Sequence, residues 1–322
     1  MGKEKEGKQS VKCTPDALPP GSEAGVAMES RDFMALAALA GAMFLWSGTF
    51  IAMKVVLSVF EPVFMLFVRM LGSALLLFPF MRHWSRKTPY AMGDWRIILL
   101  LVVSEPCLYF LFEGYALRYT TASQAGLITA LLPLLVGVGA FFTLKERLPG
   151  KAWTGFCLAV GGVGLLTASG KNSEAAPNAL LGNSLEFCAM LMACVYTLCV
   201  RRLVGYPPFF ICAIQSCGGV LFFGIVLLLT GAPLPDELPP LAPILSLAFL
   251  SFSTVVAYGL YNIGIARLSA GQAAAWTNLI PVLTLFFGMI FLGERLTSLQ
   301  AVAVFPILGG VLLSQLGNMT KK

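Results

Sequence analysis

The chain carries about ten apolar stretches, each close to the roughly 20 residues that a helix needs to cross a bilayer, and that leaves few folds open to it. They run approximately over 33–54, 62–81, 96–117, 121–144, 151–169, 181–201, 208–230, 241–263, 271–292 and 297–316, separated by short polar or Pro/Gly-rich joints. Hydrocarbon offers backbone amides no partner, so only helices and closed barrels span it. Stretches such as Ile97–Phe112 lack the strict alternation over about ten residues that marks a barrel strand, which predicts helix throughout. Hydrophobic residues make up 57% of the chain and charged residues 12%, where a soluble domain has about 25% charged. The expected fold class is an all-α integral membrane protein.

The stretches are duplicated. Residues 119–166 align without a gap on 267–314: Gln124 falls on Gln272, Thr129 on Thr277, Pro133 on Pro281, Glu146-Arg147-Leu148 on Glu294-Arg295-Leu296, and Gly161-Gly162 on Gly309-Gly310. A fainter echo at an offset of 147 relates the first stretch to the sixth, with Trp46, Thr49, Phe50 and Lys54 answered by Ala193, Tyr196, Thr197 and Arg201. Five spans per unit is an odd number, so the second unit enters the membrane from the opposite face, and the repeats are expected to be inverted. Inverted repeats are how many secondary transporters build a site that opens to either side in turn.

The expected organisation is a disordered cytoplasmic tail over 1–32, five-helix repeats over 33–169 and 181–316, and a short cytoplasmic tail over 317–322. The first tail has Lys3, Glu4, Lys5, Glu6 and Lys8 with almost nothing to bury. The net charge of +6 follows from topology and needs no nucleic-acid partner. With the N-terminus inside, seventeen Lys and Arg residues fall in cytoplasmic segments against Arg118, Lys171 and Arg295 outside. The positive-inside rule then predicts a multi-pass protein of the inner or plasma membrane with both termini cytoplasmic.

Several chemistries lack their residues. The eight cysteines form no C-x-x-C and mostly sit inside apolar stretches, the only histidine is His83 in a basic loop, and no phosphate-binding G-x-x-x-x-G-K-[ST] occurs. No metal site, cofactor or catalytic constellation is expected, so the chain is not read as an enzyme.

Trp46-Ser47-Gly48-Thr49-Phe50-Ile51-Ala52-Met53-Lys54, Val68-Arg69, Tyr115-Ala116-Leu117 followed by Tyr119-Thr120-Thr121-Ala122, and the repeated Glu-Arg-Leu together resemble the EamA-type transporters of the drug/metabolite transporter superfamily. The resemblance covers about 33–316. It implies ten helices in inverted halves and the movement, commonly outward, of small organic metabolites or drugs. Two positions depart from the family pattern: Ala193 stands where a Trp is frequent, and Lys145 replaces the usual Gly before Glu146-Arg147.

A charge in hydrocarbon costs roughly 3 kcal/mol or more, so each intramembrane ionisable residue needs a reason. Lys54 can snorkel from a helix end. Arg69 lies too deep for that and is expected to face a central cavity or pair with a carboxylate. Glu105, Tyr109 and Glu113 recur at i, i+4 and i+8 and share one helical face, as do Thr254, Tyr258, Tyr261 and Asn262. Trp46, Thr49 and Lys54 in the first helix, and Trp276 and Asn278 in the ninth, complete the expected substrate pathway. Interhelical hydrogen bonding is the alternative reading of these stripes. Glu105, Glu113 and Glu186 are candidate proton carriers, since a carboxyl in hydrocarbon favours its neutral form unless a cation opposes it. Pro133 and Pro281 interrupt matching helices, and Glu146, Arg147, Glu294 and Arg295 lie at helix ends where gating or structural roles are expected.

The expected function is therefore export of a small organic metabolite or drug by alternating access, with proton coupling as one mechanism and facilitated exchange without protons as the other. A membrane-embedded lipid-linked enzyme is the rival class. The expected partners are the solute and the bilayer, with no nucleic acid; a homodimer is left open.

Overall fold

The computed structural model describes residues 23–85, 91–144, 150–169, 173–231, 239–268 and 270–319. Its elements are helical from end to end. They are α1 (Glu23–Leu57), α2 (Pro62–Ser85), α3 (Asp94–Tyr119), α4 (Ala122–Ile128 and Leu132–Leu144), α5 (Gly150–Ala168), α6 (Ala179–Arg202), α7 (Pro208–Thr230), α8 (Leu241–Arg267), α9 (Ala270–Ala275 and Leu279–Phe291) and α10 (Ser298–Met319). Eight are long and apolar enough to cross a bilayer, and α5 and α10 contribute the shorter apolar helices Trp153–Ala168 and Ser298–Leu313. This is the ten-helix, two-repeat membrane fold.

One boundary moves. α1 starts at Glu23, so residues 23–32, expected to be disordered, are helical; Glu23, Ala24, Ala27, Met28 and Glu29 are good helix formers. The part of this helix up to Met34 belongs to a separate unit, and the compact body runs from Ala35. The rest of the expected tail lies outside the described residues, as do Glu146, Arg147 and the final residues 320–322.

The body inverts the arrangement of a soluble protein. Large apolar side chains such as Phe78 (73% exposed), Leu228 (85%) and Phe305 (77%) cover its outside. Arg69, Glu105, Glu113 and Glu186 are buried within it. An outer surface of that kind is stable against acyl chains and not against water.

Repeat-related helices pack on one another across the centre: α2 on α7, α4 on α9, and α5 on α10. The last pair shows why its glycines recur. A Cβ added to Gly162 would stand 2.8 Å from Ile307 Cγ1 and 2.9 Å from its backbone nitrogen, and one added to Gly310 would stand 2.5 Å from the Gly155 carbonyl oxygen. The helix backbones meet there, as small residues permit in lipid, where apolar burial no longer drives association.

Three helices are broken near mid-span. Pro133 and Pro281 lack an amide hydrogen and crowd the carbonyl four residues earlier, and each follows a short 3-10 turn, Thr129–Leu131 in α4 and Trp276–Asn278 in α9. The third break corrects the expected continuous face of α3. Residues Val103–Leu108 form a wide turn around Pro106, with Glu105 in extended backbone (φ −150°, ψ 117°). Regular helix resumes only at Tyr109. Gln215 of α7 donates a 3.2 Å hydrogen bond to the Glu105 carbonyl, so a neighbouring helix satisfies the backbone that the break exposes.

Candidate functional site

The breaks surround a narrow central cavity. α1 supplies Trp46, Thr49 and Phe50; α2 supplies Arg69; the two pieces of α3 supply Glu105, Tyr109, Phe110 and Glu113. α4 contributes Thr129 and Leu132, α6 contributes Met190, Ala193, Tyr196 and Thr197, α8 contributes Tyr258 and Tyr261, and α9 contributes Thr277 and Ile280. Most of the wall is built in repeat-related pairs. At offsets of 147 or 148, Trp46 answers Ala193, Thr49 answers Tyr196, Phe50 answers Thr197, Phe110 answers Tyr258, Glu113 answers Tyr261, Thr129 answers Thr277, and Leu132 answers Ile280. The cavity therefore lies on the axis that relates the halves, but its charged groups, Arg69, Glu105 and Glu113, all come from the first repeat.

Arg69 is 1% exposed and held on several sides. Its Nε donates to Thr254 Oγ1 at 2.8 Å, its Cζ lies 3.9 Å from the centre of the Phe110 ring, and one terminal nitrogen is 3.8 Å from Glu113 Oε2. It thus faces the cavity and pairs with a carboxylate at once. Tyr109 donates a 2.7 Å hydrogen bond to Glu113 Oε1, and Tyr258 donates to Glu105 Oε1. Each carboxyl is thus oriented by a phenol, one from its own helix and one from the opposite repeat. Trp46 packs 5.0 Å from the Tyr258 ring and 4.9 Å from Tyr261, while Tyr196 donates to Asn262 Oδ1 at 2.8 Å.

Of the residues expected along the pathway, Trp46, Thr49, Arg69, Glu105, Tyr109, Glu113, Tyr258 and Tyr261 come together here. Lys54, Asn262, Trp276 and Asn278 do not reach the wall. Asn262 acts on it through Tyr196, and Trp276 and Asn278 are half-buried elsewhere on α9. Glu186 is fully buried, and neither carboxyl oxygen has a hydrogen-bond partner among the described residues. It lies four residues before Met190 on the same face of α6 and within electrostatic reach of Glu113. Met190, Tyr196 and Thr197 also line the cavity without being among the expected pathway residues; the weak echo between the first and sixth stretches points to Tyr196 and Thr197, and no sequence signal points to Met190.

Lys54 has a different place. Its Nζ donates to the carbonyls of Leu117 (2.9 Å), Thr120 (2.8 Å) and Ala175 (2.9 Å), closing the C-terminal end of α3 where helix carbonyls lack amide partners. Beside it, Glu294 from the second repeat accepts hydrogen bonds from the Ala122 and Ser123 amides at 2.9 and 2.8 Å. Those are first-turn amides of α4, where a carboxylate is favoured by both the free N–H groups and the helix dipole. At the far end of the bundle, Arg201 donates to the Ile265 carbonyl at 3.0 Å.

The profile of the EamA-like transporter family matches residues 33–168 and 180–316. The chain is 27% identical over 223 residues to the "Uncharacterized transporter YetK" of Bacillus subtilis (strain 168), covering 67% of this chain and 68% of that protein. It is 28% identical over 255 residues to the "Probable amino-acid metabolite efflux pump" of Escherichia coli (strain K12), covering 69% and 85% of the two chains. A solved crystal structure superposes with a TM-score of 0.63 at 19% identity over 91% of this chain and 99% of its own, a likeness of fold.

Proposed function

Since the chain belongs to the EamA-like transporter family and is a multi-pass membrane transporter of a small molecule, we propose that it carries an organic metabolite outward by alternating access around the central cavity. One observation supports this above others: a mid-bundle cavity with polar groups lies between two inverted repeats, with its wall built in repeat-related pairs. Rocking one repeat against the other would expose such a site first to one face and then to the other. An enzyme acting on a lipid would be better served by a groove at one membrane surface.

In this reading the positive-inside distribution orients the protein with both termini in the cytoplasm of an inner or plasma membrane. The Lys54 and Glu294 contacts then hold the outer end closed, and the Arg201 contact belongs to the inner end. Glu105, Glu113 and Glu186 carry protons against the solute, with Glu186 as the step between the cavity and the outer face. The alternative, exchange without protons, would leave these carboxyls to hold the bundle and the solute only.

The test is flux into vesicles reconstituted with the purified protein, using a broad panel of amino acids, amines, nucleobases, sugars and organic acids. Protein-dependent uptake of at least one solute, with trans-stimulation by the same solute inside, is the expected outcome. Absence of such flux across the panel would overturn the reading.

A further inference from the structure

The polar atoms that the protein leaves without partners at the cavity wall are unevenly divided between donors and acceptors. Among the described residues, Glu105 Oε2 and Glu113 Oε2 are buried without a hydrogen-bond partner, and so is Trp46 Nε1. All three residues line the cavity. Two of the three atoms are carboxyl oxygens and only one is an N–H donor. Once the carboxyls have released their protons, charge is biased in the same direction, with two carboxylates facing one guanidinium. That guanidinium is already engaged by Thr254, Glu113 and the Phe110 ring. The rest of the wall is aromatic, with Trp46, Tyr258 and Phe110 in edge contact at centroid distances of 5.0 Å (Trp46–Tyr258) and 6.0 Å (Phe110–Tyr258).

We propose that this cavity recognises an amine: a solute with a primary ammonium on an aromatic or apolar body, its N–H groups directed at Glu105 Oε2 and Glu113 Oε2 and its body lying against Trp46, Tyr258 and Phe110. The inference rests on the transporter reading and narrows it to a substrate class. An ammonium supplies three hydrogen-bond donors, which neither carboxyl oxygen has, and an opposite charge, which Glu113 Oε2 meets only at 3.8 Å in Arg69. Ring faces add attraction for a cation and offer an apolar body its contact area. A solute carboxylate at the same place would meet two carboxyls, of like sign once deprotonated, against one indole N–H and a guanidinium already engaged by Thr254, Glu113 and Phe110, so the wall disfavours acids as well as favouring amines. An amino acid, which carries both groups, falls between the two.

The experiment uses the purified full chain and one body with three head groups: 2-phenylethylamine, phenylalanine and phenylacetate, with 2-phenylethanol as the uncharged control. Thermal stabilisation reads binding, since a ligand of the folded state raises its apparent stability. Half-maximal stabilisation by the amine is expected at a concentration at least about tenfold below that for phenylacetate or phenylethanol, the factor that one charge-assisted hydrogen bond supplies. Glu105→Gln keeps an acceptor for the Tyr258 hydroxyl and removes the charge, and it is expected to lose about tenfold for the amine with little change for phenylethanol. If that variant does not fold, the wild-type ranking alone decides. Phenylacetate or phenylethanol binding as tightly as the amine would overturn the proposal. Counterflow of the same probes in vesicles separates the two readings. A protein that carries a neutral or acidic solute while ignoring the amine removes the amine inference and leaves transport standing; a protein that binds the amine as expected but moves no solute removes transport and leaves recognition standing.

Discussion

Lys54 and Arg201, the basic residues that close the first helix of each repeat, hold the carbonyls of repeat-related residues, Leu117 and Ile265 respectively. The two ends of the bundle thus carry the same contact, from side chains 147 positions apart to carbonyls 148 positions apart. Lys54 has two further carbonyls, which makes its end the more fully tied. Lys54→Met should release that end and Arg201→Met the other. With a single reporter cysteine at Thr49 in a cysteine-free background, membrane-impermeant thiol reagent added outside should label the Lys54 variant at least about fivefold faster than the parent, consistent with a shift of about 1 kcal/mol in the balance of states. Arg201→Met should slow that labelling instead.

Glu294 ties the second repeat to the first through two amides of α4. Glu294→Ala should lower stability by about 1 kcal/mol, the usual size of a lost helix cap, and Glu294→Gln by less because one acceptor remains. Melting of the detergent-solubilised protein measures both. Equal melting of Glu294→Ala and the parent would show that the contact contributes nothing.

Arg69 and Glu113 depend on each other. Arg69→Leu leaves a buried carboxyl without its cation and should destabilise the protein by about 3–5 kcal/mol, enough to lose monodisperse material. Arg69→Leu combined with Glu113→Gln should recover much of that loss. Size-exclusion profiles of the single and double variants check this, and a double variant no better than Arg69→Leu would contradict the pairing.

Glu186 makes no hydrogen bond among the described residues, so a structural role predicts little from its amide isostere. A proton-carrying role predicts something specific. Glu186→Gln should abolish solute accumulation driven by a pH gradient while sparing solute exchange at equal pH on both sides. Loss of both, or of neither, would remove Glu186 from the relay.

Pro133→Ala and Pro281→Ala restore the missing amide donors and should straighten α4 and α9. Stability should be unchanged or higher while the transport rate falls severalfold, because the broken helices line the cavity that must change shape. Initial rates in vesicles together with melting curves separate the two effects. A rate equal to the parent's would leave the prolines without a part in the cycle.

Much of the architecture was legible in the order of residues. Ten apolar runs, an odd number per duplicated unit and matched Gly-Gly and proline positions predict an inverted helical repeat, and those features are local or simply periodic. Eight of the twelve expected pathway residues meet at the cavity because three- and four-residue spacing selects a helix face. The face of α3 was harder to read. Its stripe assumes one continuous helix, whereas the break before Pro106 takes Glu105 out of helical register and brings it to the cavity by another route. Lys54 also escaped a sequence reading, because helix-end carbonyls are bonding partners that no side-chain pattern records.

What the amino-acid order determined by itself is the medium, the helix count and the inverted duplication, since hydrocarbon admits so few backbone solutions. Which side chains meet was decided only by the tertiary structure. Tyr258 and Glu105 are 153 residues apart and bond because α3 breaks and α8 rotates its tyrosines inward. Rotation and breakage depend on how neighbouring helices pack, so the same symmetric frame can hold a site whose charge comes from one half alone.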